Sequence, residues 1–98
     1  MSYQLIIPPE IEHDIAEAFD SFESTDRALS FVHNLNTLFD RIVERPLQFP
    51  VIYAAIRRGL LRHHDYSVFF EVDATRSRVV IQAVIHQHRD PARWPRSP

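Results

Sequence analysis

The stretch GLLRHHDYSVFFEVDATRSRVVIQAVIHQHRDP, residues 59–91, decides the fold. It contains two apolar runs, residues 66–72 and 79–85, separated by the polar sequence DATRSR. Apolar runs of this length around a polar linker predict two β-strands joined as an antiparallel hairpin. The start of the first strand and the end of the second then lie side by side at one end of a sheet.

Alternation along these strands predicts which side chains share a face. In the first strand, one face carries Tyr66, Val68, Phe70 and Val72. In the second strand, one face carries Val79, Ile81, Ala83 and Ile85, and the other carries Val80, Gln82, Val84 and His86. Both faces are rather apolar, as expected if helices cover one face and the other is partly shielded.

Basic residues and histidines gather at the end of the predicted hairpin. Imidazole titrates near neutrality, which suits proton transfer, and the guanidinium group binds phosphate and carboxylate through two hydrogen bonds. The candidate catalytic residues are His86, His88, Arg89 and Tyr66. The candidates for binding a phosphate or a protein partner are Arg57, Arg58, Arg62 and Arg93. We expect Arg58 and Arg62 to meet the segment that begins at His86.

Simpler interpretations compete with each of these roles. His86 and His88 also fit as polar residues at a strand end, and Arg89 can form a local salt bridge with Asp90. Adjacent strand residues point to opposite faces, so Arg57 and Arg58 cannot both line one groove. His86 and His88 share a face and have His63 and His64 as possible neighbours, but the sequence identifies no third and fourth ligand. We therefore expect no metal and no cofactor.

The first half of the chain supplies a strand and two helices. Residues 3–7 alternate as a short strand that ends at Pro8. A helix is predicted from near Pro9, and a second follows the capping sequence STD and runs to about Glu44. Arg45-Pro46 stops it. Residues 47–55 are interpreted as a connection, and residues 56–63 as a strand leading into the hairpin.

This order predicts an α+β domain, β-α-α-β-β-β. The N-terminal strand joins a largely antiparallel four-stranded sheet, and the helical hairpin packs on one face of that sheet. We expect a single domain over residues 1–92 and a mobile tail over residues 93–98, which is rich in proline.

Composition excludes several classes of function. The chain of 98 residues has no cysteine, which excludes disulfides, thiolate catalysis and cysteine zinc sites. A single glycine and the absence of a phosphate-cradling motif argue against a P-loop or dinucleotide fold. The longest unbroken apolar run has six residues, and the first ten residues lack a basic region, so we expect no membrane segment, no secretory leader and a cytoplasmic location.

Charge is distributed unevenly along the chain. Residues 1–50 hold nine acidic residues and three arginines, whereas residues 51–98 hold four acidic residues and eight arginines. The basic half suggests a face for a polyanion or an acidic partner. All eleven cations are arginine, which fits bidentate anion binding and also follows from a GC-rich coding genome.

The chain resembles the RelE/ParE superfamily of toxins from bacterial type II toxin–antitoxin systems. The matching segments are PPEIEHDI at 8–15, ERP at 44–46, IRRGLL at 56–61, DYSVFFEV at 65–72 and VIHQHRDP at 84–91. The aromatic strand has Phe70 where the family usually has tyrosine. The ending His86-x-x-Arg89-Asp90 is similar to that of ParE-like members.

The resemblance implies a toxin that a cognate antitoxin neutralises. RelE-like members cleave mRNA on the ribosome, whereas ParE-like members lack that catalytic set and poison DNA gyrase. The absence of lysine departs from the RelE pattern and favours a gyrase-directed inhibitor that performs no chemistry. A ribosome-dependent mRNA endonuclease is the alternative, and an inactive relative that only forms complexes and autoregulates is a third.

Overall fold

The structure, a computed structural model, describes residues 3–86. The elements are β1 (Gln4–Ile6), α1 (Pro9–Asp20), α2 (Thr25–Glu44), β2 (Val51–Tyr53), β3 (Ile56–Leu61), β4 (Tyr66–Asp73) and β5 (Arg78–His86). Two 3-10 turns, Pro46–Gln48 and Arg62–His64, precede β2 and β4. The α+β class, both helices and the hairpin of β4 and β5 are confirmed. The expected boundary between domain and tail at residues 92 and 93 lies outside the described residues.

The sheet has five described strands in the order β1-β5-β4-β3-β2, so the predicted count of four is wrong. β1 pairs with β5 in parallel, and the other neighbours are antiparallel. The additional strand, β2, lies in the segment interpreted as a connection. Three residues are too short for a periodic pattern, and β2 forms because a tight turn with Ala54 at φ 50° returns it onto β3.

Local signals explain where the helices begin. Pro9 occupies the first turn of α1, where a missing N–H costs nothing, and Glu10 and Glu12 lie near the positive end of the helix dipole. The Ser24 side chain accepts a hydrogen bond from the Arg27 backbone N–H, at 3.1 Å, and so caps α2. Both helices place their apolar stripes against one face of the sheet.

The core lies between the helical hairpin and the sheet. Its fully buried side chains include Phe31, Ile42, Val68, Phe70 and Val79. Burial of one such side chain stabilises the fold by about 1.5–3 kcal/mol. The chain's single glycine lets α2 approach β3 closely. A Cβ atom at Gly59 would lie 3.3 Å from Leu38 Cδ1.

A β-bulge in β5 changes which residues face the helices. Phe70 pairs with Ile81 and Phe69 pairs with Ala83, so Gln82 is an extra residue on the β5 side. Before the bulge Val79 and Ile81 are buried in the core as predicted, but after it Val84 is buried there and Ala83 is not. The prediction of strict alternation in β5 is therefore wrong beyond Ile81, because a bulge shifts the following side chains to the other face.

The face away from the helices is also partly buried. Ser67, Phe69 and Ile85 are almost fully buried, whereas Leu60 and Glu71 are exposed. This pattern agrees with the expectation that the second face is apolar and partly shielded.

Candidate functional site

The predicted sheet end exists and has Tyr66 at its centre. Leu61 of β3 pairs with Tyr66, and Tyr66 pairs with His86. The rings of Tyr66 and His86 meet edge to face, with centroids 5.1 Å apart. Tyr66 also packs against Phe31 of α2, at 5.1 Å. The tyrosine is only 7% exposed, so it serves as a wall of the site and part of the core.

The β5 bulge puts His86 in this position. From the pairing of Phe70 with Ile81, an unbroken ladder would place Ile85 opposite Tyr66. Because Gln82 is an extra residue on the β5 side, the pairing beyond it is shifted by one residue. His86, and not Ile85, therefore lies opposite Tyr66. Its ring therefore lies on the same face of the sheet as the helices.

A cavity of about 270 Å³ opens beside these two rings, between the sheet end and the turn that joins the helices. We call it the histidine cavity. Within residues 3–86, its lining residues are Ser21, Phe22, Glu23, Arg27, His63, His64, Asp65, Tyr66 and His86. Aromatic faces, three imidazoles, one guanidinium and two carboxylates meet there, so the cavity can contact both flat and polar groups.

His64 is the buried histidine of the cavity, at 7% exposure. Its ring meets Phe22 and Phe31 edge to face, with centroids 5.5 and 5.6 Å away. Its Nδ1 atom is buried and has no hydrogen-bond partner within residues 3–86. Burial lowers the pKa of His64 below its ordinary value of 6.5, and the positive charge of Arg27 adds to this effect. His64 is therefore held as the neutral imidazole at neutral pH.

Arg27 is a functional candidate that the sequence did not reveal. Its guanidinium lies over the Phe22 ring, 5.8 Å from the centroid, at the mouth of the histidine cavity. In the sequence it is an ordinary residue of the first turn of α2, far from the hairpin. The only available signal was its position beside the Ser24 cap, which says nothing about the sheet.

The structure separates Arg57 and Arg58, as their adjacent positions required. Arg57 Nη1 donates to the backbone oxygens of Phe49, at 2.7 Å, and Leu47, at 3.4 Å. Arg58 Nε donates to Ser67 Oγ at 2.9 Å, which places Arg58 on the face away from the helices. Arg58 and His86 therefore lie on opposite faces of the sheet, and the rest of the segment that Arg58 was expected to meet, residues 87–89, lies outside the described residues.

Arg62 lies at the expected end of the sheet. It begins the 3-10 turn that follows β3 and is exposed next to His63 of the cavity. The other predicted residues of this cluster, His88, Arg89 and Arg93, lie outside the described residues. Of the eight predicted site residues, the structure thus brings Tyr66, His86 and Arg62 to one sheet end.

Residues 3–86 were also searched for metal sites and for membrane-spanning helices. Within residues 3–86, no group of three or more histidines and acidic residues has a geometry that could hold a metal ion. No helix in the same range is long and apolar enough to cross a membrane.

Comparison with known proteins gives a family and a fold. The family described as "ParE toxin of type II toxin-antitoxin system, parDE" matches residues 5–91. No curated protein sequence matches the chain.

Two solved structures have a similar fold. One is the toxin–antitoxin complex RelBE2 from Mycobacterium tuberculosis, with 20% identity, a TM-score of 0.62, and coverage of 88% of this chain and 99% of that chain. The other is a mutant of the E. coli toxin RelE in the free state, with 14% identity, a TM-score of 0.67, and coverage of 93% and 90%. At these identities the likeness extends to the fold alone.

Proposed function

Because this chain belongs to the family of ParE toxins from type II toxin–antitoxin systems, we propose that it inhibits growth by binding and poisoning DNA gyrase. It is the toxin component of such a module, and its partner is a cognate antitoxin. What we propose is that the target is DNA gyrase and that the toxin acts by binding without catalysing a reaction. The toxin would act in the cytoplasm, where gyrase and chromosomal DNA are located.

One observation carries the preference for binding over RNA cleavage. Cleavage through the 2′-hydroxyl of RNA needs a general base, a general acid and a cation that holds the phosphate, all on one surface. Among the described residues, Tyr66 is buried in the core, and Arg58 lies on the opposite face from His86. Arg57 is engaged with backbone oxygens near β2. Within residues 3–86, the predicted set therefore supplies His86 and Arg62 at one sheet end but no accessible third group, because Tyr66 is buried.

The second candidate function is ribosome-dependent cleavage of mRNA. The observation that favours it is the histidine cavity, where His63, His86 and Arg27 line one space. Imidazoles beside a guanidinium can transfer protons and hold a phosphate. An inactive relative that only forms a complex with its antitoxin is the third reading, and the same experiment separates it.

The experiment pairs two assays on the purified protein. One measures supercoiling and DNA cleavage by gyrase, and the other maps mRNA cuts by primer extension on translating ribosomes. We expect inhibition of gyrase without mRNA cuts. Codon-phased cuts with unaffected gyrase would overturn the proposal, and no response in either assay, with no growth arrest on induction, would favour the inactive relative.

The variant His86→Phe sharpens the comparison. Phenylalanine keeps an aromatic ring against Tyr66 but removes both imidazole nitrogens. A toxin that only binds should keep most of its growth inhibition. Loss of toxicity with antitoxin binding intact would instead indicate proton transfer by His86.

A further inference from the structure

A second surface lies at the other end of α2, around the outermost strand of the sheet. Three large apolar side chains are exposed there: Leu47 at 62%, Val51 at 50% and Ile52 at 39%. We call these three residues the edge surface. β2 is the last described strand of the sheet, and its pairing with β3 is irregular between Val51 and Tyr53, so Ile52 lies at the irregularity. A segment lying along β2 would contact the exposed side chains of Val51 and Ile52.

Contacts within the protein fix the backbone that carries the edge surface. The Arg57 guanidinium bonds to the carbonyl oxygens of Leu47 and Phe49, and the Arg58 backbone N–H donates to the Pro50 oxygen at 3.0 Å. The Phe49 ring packs edge to face on Phe70 of the core, with centroids 5.6 Å apart. These contacts hold the backbone of Leu47 and Val51 in place before a partner binds, which lowers the entropy cost of binding.

Two cavities have residues of the 3-10 turn Pro46–Gln48 in their lining. One, of about 300 Å³, has the Phe49 ring and Arg41 in its lining, and the other, of about 400 Å³, has Tyr3 and Leu47. Arg45 lines both cavities. Apolar side chains of a partner would have one concave site beside Leu47 and another beside Phe49.

Among the described residues, the linings of these two cavities together carry two guanidinium groups and one carboxylate, because Glu44 and Arg45 line both and Arg41 lines the first. This balance is opposite in sign to that of the surrounding half of the chain. Residues 1–50 contain nine acidic residues and only three arginines, and two of those three, Arg41 and Arg45, lie at these cavities. Neither guanidinium forms an ion pair with a carboxylate in the part of the chain that the structure describes. Arg41 is held over the Phe49 ring, 5.7 Å from its centroid. The complementary partner carries carboxylates beside apolar side chains.

We propose that the edge surface, with Arg41 and Arg45, anchors an acidic segment of the cognate antitoxin that carries apolar side chains. α2 has 20 residues and so is about 30 Å long. The histidine cavity lies at its first turn and the edge surface follows its last turn. The anchor is therefore distinct from the histidine cavity. This inference depends on membership of a toxin–antitoxin module and does not depend on gyrase as the target.

The test measures the affinity of the toxin for the purified small acidic protein encoded directly upstream, together with growth inhibition. Leu47→Asp places a charge on the apolar surface, and Arg45→Glu reverses the guanidinium charge. Each should weaken binding about tenfold or more, as expected for loss of an interface anchor. Arg45→Glu should also reduce the dependence of the affinity on salt. Both variants should remain toxic but escape neutralisation.

Leu29→Asp is the matched control, because Leu29 of α2 is also exposed, at 55%, but lies away from β2. It should bind the antitoxin within about twofold of the wild type. Unchanged binding by both Leu47→Asp and Arg45→Glu, or an equal loss in Leu29→Asp, would overturn the proposal. If sedimentation instead shows that Leu47→Asp dissociates a toxin dimer without affecting antitoxin binding, the surface joins two copies and the proposal fails.

Discussion

Acid should destabilise this toxin through His64. The side chain is 7% exposed, its Nδ1 is buried without a partner in residues 3–86, and Phe22 and Phe31 lie against its ring. The titratable or charged groups around it are Glu23 and Arg27 of the helical segment, and His63, Asp65, Tyr66 and His86 of the sheet end. Protonation would bury a positive charge next to Arg27. Lowering the pH from 8 to 5 should therefore destabilise the folded protein.

The direction of the effect follows from the lowered pKa of His64, which burial causes first and Arg27 second. The unfolded chain takes up the proton near pH 6.5, before the folded protein does. The stability that neutral His64 provides is thus complete above pH 6.5. It is lost as the pH falls from there toward the pKa of the folded state.

The size of the loss has an upper limit. The ordinary pKa of 6.5 lies about 1.5 units above pH 5, and one unit corresponds to about 1.4 kcal/mol, so His64 can remove at most about 2 kcal/mol at pH 5. A domain of this size has a free energy of unfolding of about 5–15 kcal/mol. A loss near the limit is therefore readily measured.

The assay is urea unfolding of the wild type and of His64→Phe at pH 8, 7, 6 and 5. Phenylalanine keeps an aromatic ring beside Phe22 and Phe31 but cannot be protonated. The other histidines are common to both proteins, so their effects cancel in the difference. The free energy of unfolding of the wild type, relative to the variant, should fall by up to about 2 kcal/mol between pH 8 and pH 5.

His33→Gln serves as the control, because His33 is an exposed residue in the middle of α2. It should show the same dependence on pH as the wild type. A constant difference between wild type and His64→Phe over this range, or a relative gain in stability of the wild type in acid, would contradict the role of neutral His64.

Two further substitutions test the packing of α2 on the sheet and the turn of the hairpin. Gly59→Val should lower the free energy of unfolding by about 1–3 kcal/mol in urea titrations, because even a Cβ atom at this position would lie 3.3 Å from Leu38 Cδ1. An unchanged midpoint of urea unfolding would contradict the close approach of α2 and β3. Asp73→Asn should be less stable than the wild type at pH 7. The Asp73 carboxylate accepts a hydrogen bond from the Arg76 backbone N–H and pairs with the Arg76 and Arg78 side chains. These contacts lower the pKa of Asp73 below 3.8. The stability that the charged Asp73 provides is present above pH 3.8 and is lost as the pH falls through its lower pKa in the folded state. The melting temperatures of the two proteins should therefore converge in strong acid. A difference in melting temperature that stays constant would contradict this account.

Much of the architecture could be predicted because it depends on local patterns. The helix predicted from near Pro9 begins at that residue, and α2 ends at Glu44 before Arg45-Pro46, as its stop signal indicated. The strands of the hairpin match their predicted runs to within one residue at each end. Cap, stop and alternation signals lie within a few residues of the elements they define, so the sequence contains them directly.

The candidate site was only partly predictable. The juxtaposition of Tyr66 and His86 follows from antiparallel pairing and was expected. His64 was considered as a neighbour of His86, whereas Arg27 was not identified, since α2 and the turn before β4 meet only when the helices pack on the sheet. Arg57 and Arg58 were expected on opposite faces, but the sequence did not indicate which of the two shares the helix-facing side with His86.

The sequence by itself determined the α+β class, the helical hairpin, the pairing of β4 with β5 and the family to which the toxin belongs. These depend on periodicity and on motifs that lie in continuous segments. Tertiary structure alone decided that Gln82 forms a bulge, and so that His86 joins the histidine cavity. It also decided that Arg57 fixes the edge around β2 while Arg58 faces the other side. Such outcomes depend on which strand pairs with which and in what register, and those choices are set by the packed core as a whole.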